Sequence, residues 1–514
     1  IYHMDTNVSS VAALSALPGF GKLQANLRQL AKAEFDGHRT PLFSGQDPFD
    51  VLSNWWDYLQ SNCPKHLLPL EGSELTKFGP YFVRPYAKWD SAVTRYYGPS
   101  VRDADLGNHH NDLLDAIARV VSDLQIYNKL TPYSISQTFE RSRKNTNLGL
   151  PSMKSEWDTA GPELGYCLRR AQLIVDGKRA KLYPFVLFRR VQPGGPSPED
   201  AKQRPVWGAD HAETFANLSV AHVCLDHAAS RPGYEHLMGI DPLEKAIQRV
   251  AKDDLLALSM DLSACDATFR EYLQRMGLEM ISSIVHMHPK HIESTLEYYS
   301  NGELVTPSGI LKGRHGLPSG VALTNLIETL LLRALQYVCI KYSTGSYPDP
   351  AMVFQNGDDG LTLATSSLKD IYKSTFDRFG LVFNEDKSSE ERGRFSYLQR
   401  HFYAEDGYLA IMSTVRMLNR IIYAERGLPS KLSIPPKQYW TLNTIMKLEN
   451  CKRHPNFEYF VKFVANADKY KLDLDFELPS GQRLLELFGW TPLSEGQSGT
   501  GLKDFETVKV LATL

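Results

Sequence analysis

The chain has 514 residues, room for about three packing units at roughly 150 residues each, and its 57 Lys+Arg nearly cancel 59 Asp+Glu to leave a charge of −2. That balance excludes a polybasic or histone-like protein, although it leaves room for a local basic groove. With 42% hydrophobic and 23% charged residues, 35 Gly and 29 Pro, and no apolar run of about 18 residues, the composition is globular rather than collagen-like, low-complexity or membrane-spanning.

Read in chain order, Ile1-Tyr2-His3 resemble a cloning remnant ahead of Met4, the expected natural start. No secretory pattern follows. Residues 1–165 read as helices joined by loops; Asn111-Asp112 followed by Leu113, Leu114, Ile117, Val120, Val121 and Leu124 predicts a capped amphipathic helix. Residues 169–204 then carry nine Arg or Lys against three Asp or Glu. Gln192-Pro-Gly-Gly-Pro-Ser-Pro198 cannot be regular structure, which predicts a mobile loop between two basic arms. A solvated charged hairpin accounts for a charge run of this kind; arginines beside the loop favour phosphate recognition.

The stretch 254–405 alternates strands and helices. Leu255–Met260 predicts a buried strand ending at Asp261, and Asp266 falls in the loop that follows. Ser319-Gly320 is expected to open a helix with Leu323, Ile327, Leu330, Leu331, Ala334 and Val338 on one face. Met352-Val-Phe354 and Leu361-Thr-Leu363 flank Asn356-Gly357-Asp358-Asp359, a hairpin signal with Gly357 suited to the tight turn. A helix over 368–379 should stop at Gly380, with a short strand after it. Beyond 405 the pattern is helical, with Trp440 and Phe457–Phe463 read as core stripes, and the Gly/Ser-rich segment 489–501 reads as a flexible loop.

Asp261, Asp266 and the Asp358-Asp359 pair are the carboxylates whose placement suggests chemistry. Aspartates on adjacent strands can bind hard divalent cations for in-line phosphoryl displacement. Singly, each is as well explained by a solvated turn or a helix cap. The ordered set goes further. Asp261-Leu-Ser-Ala-Cys-Asp266, then Gly316-Leu-Pro-Ser319-Gly320-Val-Ala-Leu-Thr324, then Gly357-Asp358-Asp359, with leading residues 58 and 39 positions apart, resemble the motifs of viral RNA-dependent RNA polymerases. The resemblance is strongest to those of picobirnaviruses and partitivirus-like double-stranded RNA viruses. Lys202-Gln-Arg204, Lys387 and Phe395–Arg400 extend it over residues 189–400.

This resemblance implies a mixed α/β (α+β) right hand of fingers, palm and thumb. The boundaries expected are an N-terminal extension bridging fingers and thumb (1–165), fingers (166–253), palm (254–272), fingers (273–314), palm (315–405), and thumb with tail (406–514). It implies that Asp261 and Asp358 bind two metals, Mg²⁺ or alternatively Mn²⁺, with Asp359 supporting or contacting them. Lys387 is then the general acid. Asp266, Ser319, Gly320 and Thr324 meet the nucleotide sugar, and Arg189, Arg190, Lys202 and Arg204 hold the triphosphate. One departure is visible: the family often has Asn four residues after the Thr, whereas Glu328 stands here and Asn325 follows Thr324 directly. Asn325 is the expected substitute in the sugar pocket, and a plain helix-surface Asn is the alternative. The implied partners are single-stranded RNA template, double-stranded RNA product, NTPs and capsid protein, in the virion interior and host cytoplasm, with no membrane.

Two rivals stand beside this. A reverse transcriptase shares palm and metals, but Asp266 occupies the position where such enzymes usually carry an aromatic gate. An inactive RNA-packaging protein on a polymerase scaffold is disfavoured by the intact Asp261/Asp358 set. Six cysteines without a CxxC pair, the His286/His288/His291 spacing and the lack of a GxxxxGK[ST] segment support neither a disulfide framework, a zinc site nor a P-loop.

Overall fold

The computed structural model describes residues 7–157, 160–430, 432, 434–473 and 506–514. The expectations for Met4 and for the segment 489–501 lie outside the described residues.

A four-stranded antiparallel sheet lies at the centre, in the spatial order Ser389–Arg392, Leu256–Met260, Asp359–Ala364, Val353–Asn356. Its helical cover is the long helix Thr324–Thr344, buried on almost every side from Thr324 to Ile340. The one-sided stripe expected for this helix is therefore wrong in kind. It threads the main core between Asn108–Asp123, Glu271–Ile284 and the sheet, so it is buried around its circumference. It also begins later than expected. Gly320 has φ +96°, which ends any helix there, and helical geometry starts at Thr324. The Asn111-Asp112 cap is similarly displaced: that helix starts at Asn108, and both residues lie within it.

A second, five-stranded sheet runs Asn7–Ser9, Gly309–Lys312, Leu304–Thr306, Phe185–Gln192, Lys202–Gly208. The last two strands are the basic arms, paired so that Arg190 faces Arg204 and Gln192 faces Lys202. Their connection is packed rather than free. A Cβ on Gly79 would come within 1.8 Å of the Gly195 carbonyl oxygen, and Arg84 meets Glu199 at 3.3 Å.

The N-terminal region reaches two distant parts of the chain. Its strand Asn7–Ser9 edges the five-stranded sheet, while Leu42, Trp55 and Leu59 share a core with Met412, Val415, Leu418 and Phe460. Glu71, fully buried, accepts hydrogen bonds from the Thr414 and Val415 amides (2.8 and 3.0 Å) and so caps the helix Thr414–Ile422. Phe457 and Phe460 join this core as expected, while Trp440 is only half-buried. Residues 381–383 form an isolated bridge, Leu262 to Phe383, in place of the expected strand. All six cysteines are buried single thiols, and among the described residues no helix is long and apolar enough to cross a membrane.

Candidate active site

Strand register builds the centre of the site. Met260 pairs with Gly360, so the next step along brings Asp261 level with Asp359; Asn356 pairs with Asp359 across the two-residue turn Gly357-Asp358. Gly357 has φ +57°, as that turn demands. The chain after Asp261 makes a sharp bend through Ala264, a left-handed residue at φ 45°, into the single helical turn Cys265–Thr268. Asp266 therefore sits on a helical turn, not in an open loop.

The backbone of Asp261 is pinned by Ser388 and Asn384: its amide donates to Ser388 Oγ at 2.9 Å, and its carbonyl accepts the Asn384 amide at 2.9 Å. Burial raises the Asp261 carboxyl above the ordinary aspartate range, while the charges of Lys387 and Lys202 and a bond from Asn384 hold it down. Asp358 is open to water yet closely surrounded by protein, as a group on a cleft floor is. Desolvation, then the charge of Asp266, pushes it up to about 6 against the pull of Arg204. Asp359 goes further, to about 8, through burial and the neighbouring Asp358, although it accepts the Leu398 amide at 3.0 Å. Leu398 and Gln399, at φ 50° and 62°, form the tip of the hairpin Arg394–Tyr397/Arg400–Tyr403. That hairpin thus braces Asp359 from below.

Carboxylates that raise one another in this way form a site a divalent cation relieves. Among the described residues no three His, Cys, Asp or Glu side chains close into a preformed cage. The fit rests on donor chemistry: a hard cation such as Mg²⁺ keeps several waters and takes one or two carboxylates.

Of the expected phosphate-binding residues, Lys202 and Arg204 are exposed and face the carboxylates, Lys202 acting on Asp261 and Arg204 on Asp358. Burial and the charges of Arg204 and Lys387 lower the Lys202 ammonium. Lys387 is exposed and acts on Asp261. Arg189 and Arg190 each take a partner elsewhere. Strand alternation turns Arg189 to the other face of the sheet, where it donates to the Arg84 carbonyl at 3.0 Å; Arg190 pairs with Glu425 at 3.2 Å.

The sugar-side residues separate into two groups. Ser319 Oγ donates to Asp266, and Ser319 is also bonded to the Tyr96 hydroxyl at 2.6 Å. Thr324 spends its hydroxyl proton on the Pro318 carbonyl (2.7 Å), closing the loop that carries Ser319 and Gly320. Asn325 does not reach Asp266. Its amide donates to Asn356 Oδ1 at 3.0 Å, bracing the Gly357-Asp358 turn. Glu328, one helical turn beyond Thr324 and buried, stands against Asp266 instead; burial, Asp266 and Asp358 hold its carboxyl well above the glutamate range. The sequence reading missed Tyr96 and Glu328 in this role. Helical spacing from Thr324 marks Glu328, whereas nothing local marks Tyr96. The histidines part company: His288 Nδ1 caps Pro289–Asn301 by accepting the Lys290 amide, and His291 bonds Asn217 at 2.8 Å.

Residues 107–464 match the family profile of viral RNA-dependent RNA polymerase. The chain is 26% identical over 483 residues to a potential RNA-dependent RNA polymerase of human picobirnavirus (strain Human/Thailand/Hy005102/-), covering 88% of this chain and 86% of that one. Crystal structures of the RNA-dependent RNA polymerase of a human picobirnavirus and of its insertion-loop deletion mutant share the fold, with TM-scores of 0.78 and 0.77. Each is 21% identical, over 99% of this chain and 100% of the other. The expected right-hand architecture is thus the one observed. A profile match over that span, on a fold shared from end to end, makes this chain a member of the viral RNA-dependent RNA polymerase family.

Proposed function

We propose that Asp261 and Asp358 form the centre at which this polymerase adds nucleotides to an RNA 3′ end, with Asp359 bracing them. The observation that carries this is the register that brings Asp261 level with Asp358-Asp359, facing Lys202, Arg204 and Lys387. Divalent cations held there, Mg²⁺ or Mn²⁺, supply Lewis-acid neutralisation of phosphate charge. Lys202 and Arg204 draw in the triphosphate and offset the charge that grows as pyrophosphate leaves. Lys387, exposed beside Asp261, protonates that pyrophosphate. Asp266 and Ser319 read the ribose, since a carboxylate accepts the 2′-hydroxyl proton. Gly320 lets the backbone come close to the nucleotide, and Thr324 and Asn325 fix the loop and turn on either side. Arg189 and Arg190 serve through the position of the basic hairpin they anchor.

The hand divides as palm at 254–272 and 315–405, fingers at 166–253 and 273–314, thumb from 406, with 1–165 bridging fingers and thumb. Likeness to a picobirnavirus polymerase supports single-stranded RNA as template and double-stranded RNA as product. It also supports a role in transcribing and replicating a double-stranded RNA genome, with capsid contact in the virion interior and host cytoplasm.

Primer extension on an RNA template with Mg²⁺ tests the reading. The parent should add NTPs in strong preference to dNTPs, and Asp266→Ala should lower that preference while extension persists. An unchanged ratio in Asp266→Ala would remove the sugar-reading role, and loss of all extension with either sugar would make Asp266 part of the metal site.

A further inference from the structure

The segment Arg95–Gly98 lies about 160 residues before Asp261, yet it forms part of the wall of the nucleotide site. The Gly316 amide donates to the Tyr96 carbonyl at 2.9 Å, Tyr97 bridges to His315, and the Gly98 amide donates to the Arg314 carbonyl at 3.3 Å. Arg270 locks the segment from the other side, donating to the carbonyls of Arg95 and Pro99 at 3.2 and 3.1 Å. The loop held this way lies directly on the helical turn that carries Asp266: the Leu317 amide donates to the Asp266 carbonyl at 2.9 Å. A Cβ on Gly316 would come within 2.4 Å of the Asp266 and Ala267 carbonyl oxygens. Trp207 completes the frame, its ring 5.1 Å from that of Tyr96 and its amide on the Ser319 carbonyl at 2.9 Å.

Within this frame the Tyr96 side chain is buried and its hydroxyl meets Ser319 Oγ at 2.6 Å. Serine has one hydroxyl proton, and Ser319 gives it to Asp266. Tyr96 must therefore be the donor to Ser319. Burial and the nearby Asp266 push the phenol pKa up, so the proton is always there to give. The chain of donors Tyr96 to Ser319 to Asp266 runs in one direction. It leaves Ser319 with one lone pair, and Asp266 with the acceptor capacity that Ser319 and the neighbouring Glu328 do not use, for a ribose hydroxyl.

We propose that Tyr96 is a positioning residue for ribose selection, acting by fixing the Ser319 hydroxyl and, through it, the Asp266 carboxylate. This rests on the reading of Asp266 and Ser319 as the sugar-contacting pair. A 2′-hydroxyl benefits only if those acceptors are held in place. A deoxyribose has no such hydroxyl and is indifferent to them. Loss of the Tyr96 hydroxyl therefore harms NTP use selectively, whereas a loosened wall harms both sugars alike.

The test is Tyr96→Phe in the full chain, with steady-state single-nucleotide addition of an NTP and the matching dNTP, beside Tyr97→Phe, Asp266→Ala, Ser319→Ala and the double variant Tyr96→Phe/Ser319→Ala. Tyr97→Phe removes a hydroxyl from the same wall that has no hydrogen-bond partner among the described residues, so any loosening it causes should harm both sugars alike. One neutral hydrogen bond corresponds to a roughly 2- to 10-fold fall in kcat/KM for NTPs; dNTP values should hold, and no further loss should appear in the Ser319→Ala background. Equal losses for NTP and dNTP, or losses that multiply with those of Ser319→Ala, overturn the positioning role. If Asp266→Ala lowers the sugar ratio and Tyr96→Phe leaves it alone, only the Tyr96 inference falls. If Asp266→Ala leaves the ratio intact, the sugar pocket itself is misassigned and both fall.

Discussion

Thr329 Oγ1 accepts the amide hydrogen of Gly357 at 2.8 Å, tying a buried helix to the tip of the hairpin that carries Asp358 and Asp359. Both groups are buried, so no water replaces the bond. With Asn325 holding Asn356 at 3.0 Å, the helix Thr324–Thr344 fixes the turn that presents Asp358. Thr329→Val keeps the shape and strands the Gly357 amide, which costs about 1–3 kcal/mol. A denaturant melt should show that loss, and nucleotide addition should fall in kcat more than in KM. A variant with parental stability and kcat would show that the turn holds its form unaided.

Asp358→Asn removes a negative charge from a crowded set without changing its shape. Nucleotide addition should be abolished. Thermal stability should hold or rise, because Asp359, pushed up to about 8 partly by Asp358, loses a repelling neighbour. Appreciable single-nucleotide incorporation together with a normal melt would end the assignment of Asp358 as a cation ligand.

Arg204→Ala should raise KM for nucleotides and lower kcat together, since a guanidinium facing Asp358 meets phosphate both before and during transfer. The loss of a charged hydrogen bond is worth roughly 10- to 150-fold in kcat/KM. Template affinity, read by filter binding, should change little. A sharp fall in RNA affinity with normal nucleotide kinetics would place Arg204 in the template channel.

Stability should also depend on pH through Glu213, far from the cation site in its chemistry. Glu213 is fully enclosed with Tyr299 and Asn217, and burial pushes its carboxyl from 4.5 to about 7. Below 4.5 both folded and unfolded chains hold the proton and nothing is lost. Between 4.5 and 7 the unfolded chain releases it first, so stability falls as pH rises, then levels off. Glu213→Gln is free of that term. Its stability relative to the parent should improve between pH 4.5 and 7 by on the order of 1–3 kcal/mol, measured by urea melts at pH 5 and 8. A difference that does not vary with pH would mean that Glu213 is ionised throughout.

Much of the hairpin that carries Asp358 and Asp359 could be read from residue order. The short runs Met352–Phe354 and Leu361–Leu363 on either side of Asn356-Gly357-Asp358-Asp359 allow little besides two paired strands, and Leu255–Met260 running into Asp261 allows little besides a third. The helix register was harder. Ser319-Gly320 promised a helix start, but the left-handed Gly320 and the Thr324 bond to Pro318 turn those residues into a loop. Asn325 was the natural candidate for a missing asparagine, yet it lies about 100° around the helix from Thr324. That rotation delivers it to the hairpin tip and leaves Glu328 to meet Asp266.

By itself, then, the sequence determined the order of motifs, the strand-turn-strand that carries Asp358 and Asp359, and the membership of Asp261 and Asp266 in one short segment. These depend on local backbone preferences and on residues a few positions apart. Only the tertiary structure decided which face each side chain took and which distant residue stood opposite. It sent Arg189 and Arg190 to Arg84 and Glu425, raised the Glu328 carboxyl by burying it beside two aspartates, and set Tyr96 on Ser319. Those outcomes depend on burial and on groups brought together from 30 to 235 positions apart, and both arise only when the chain packs.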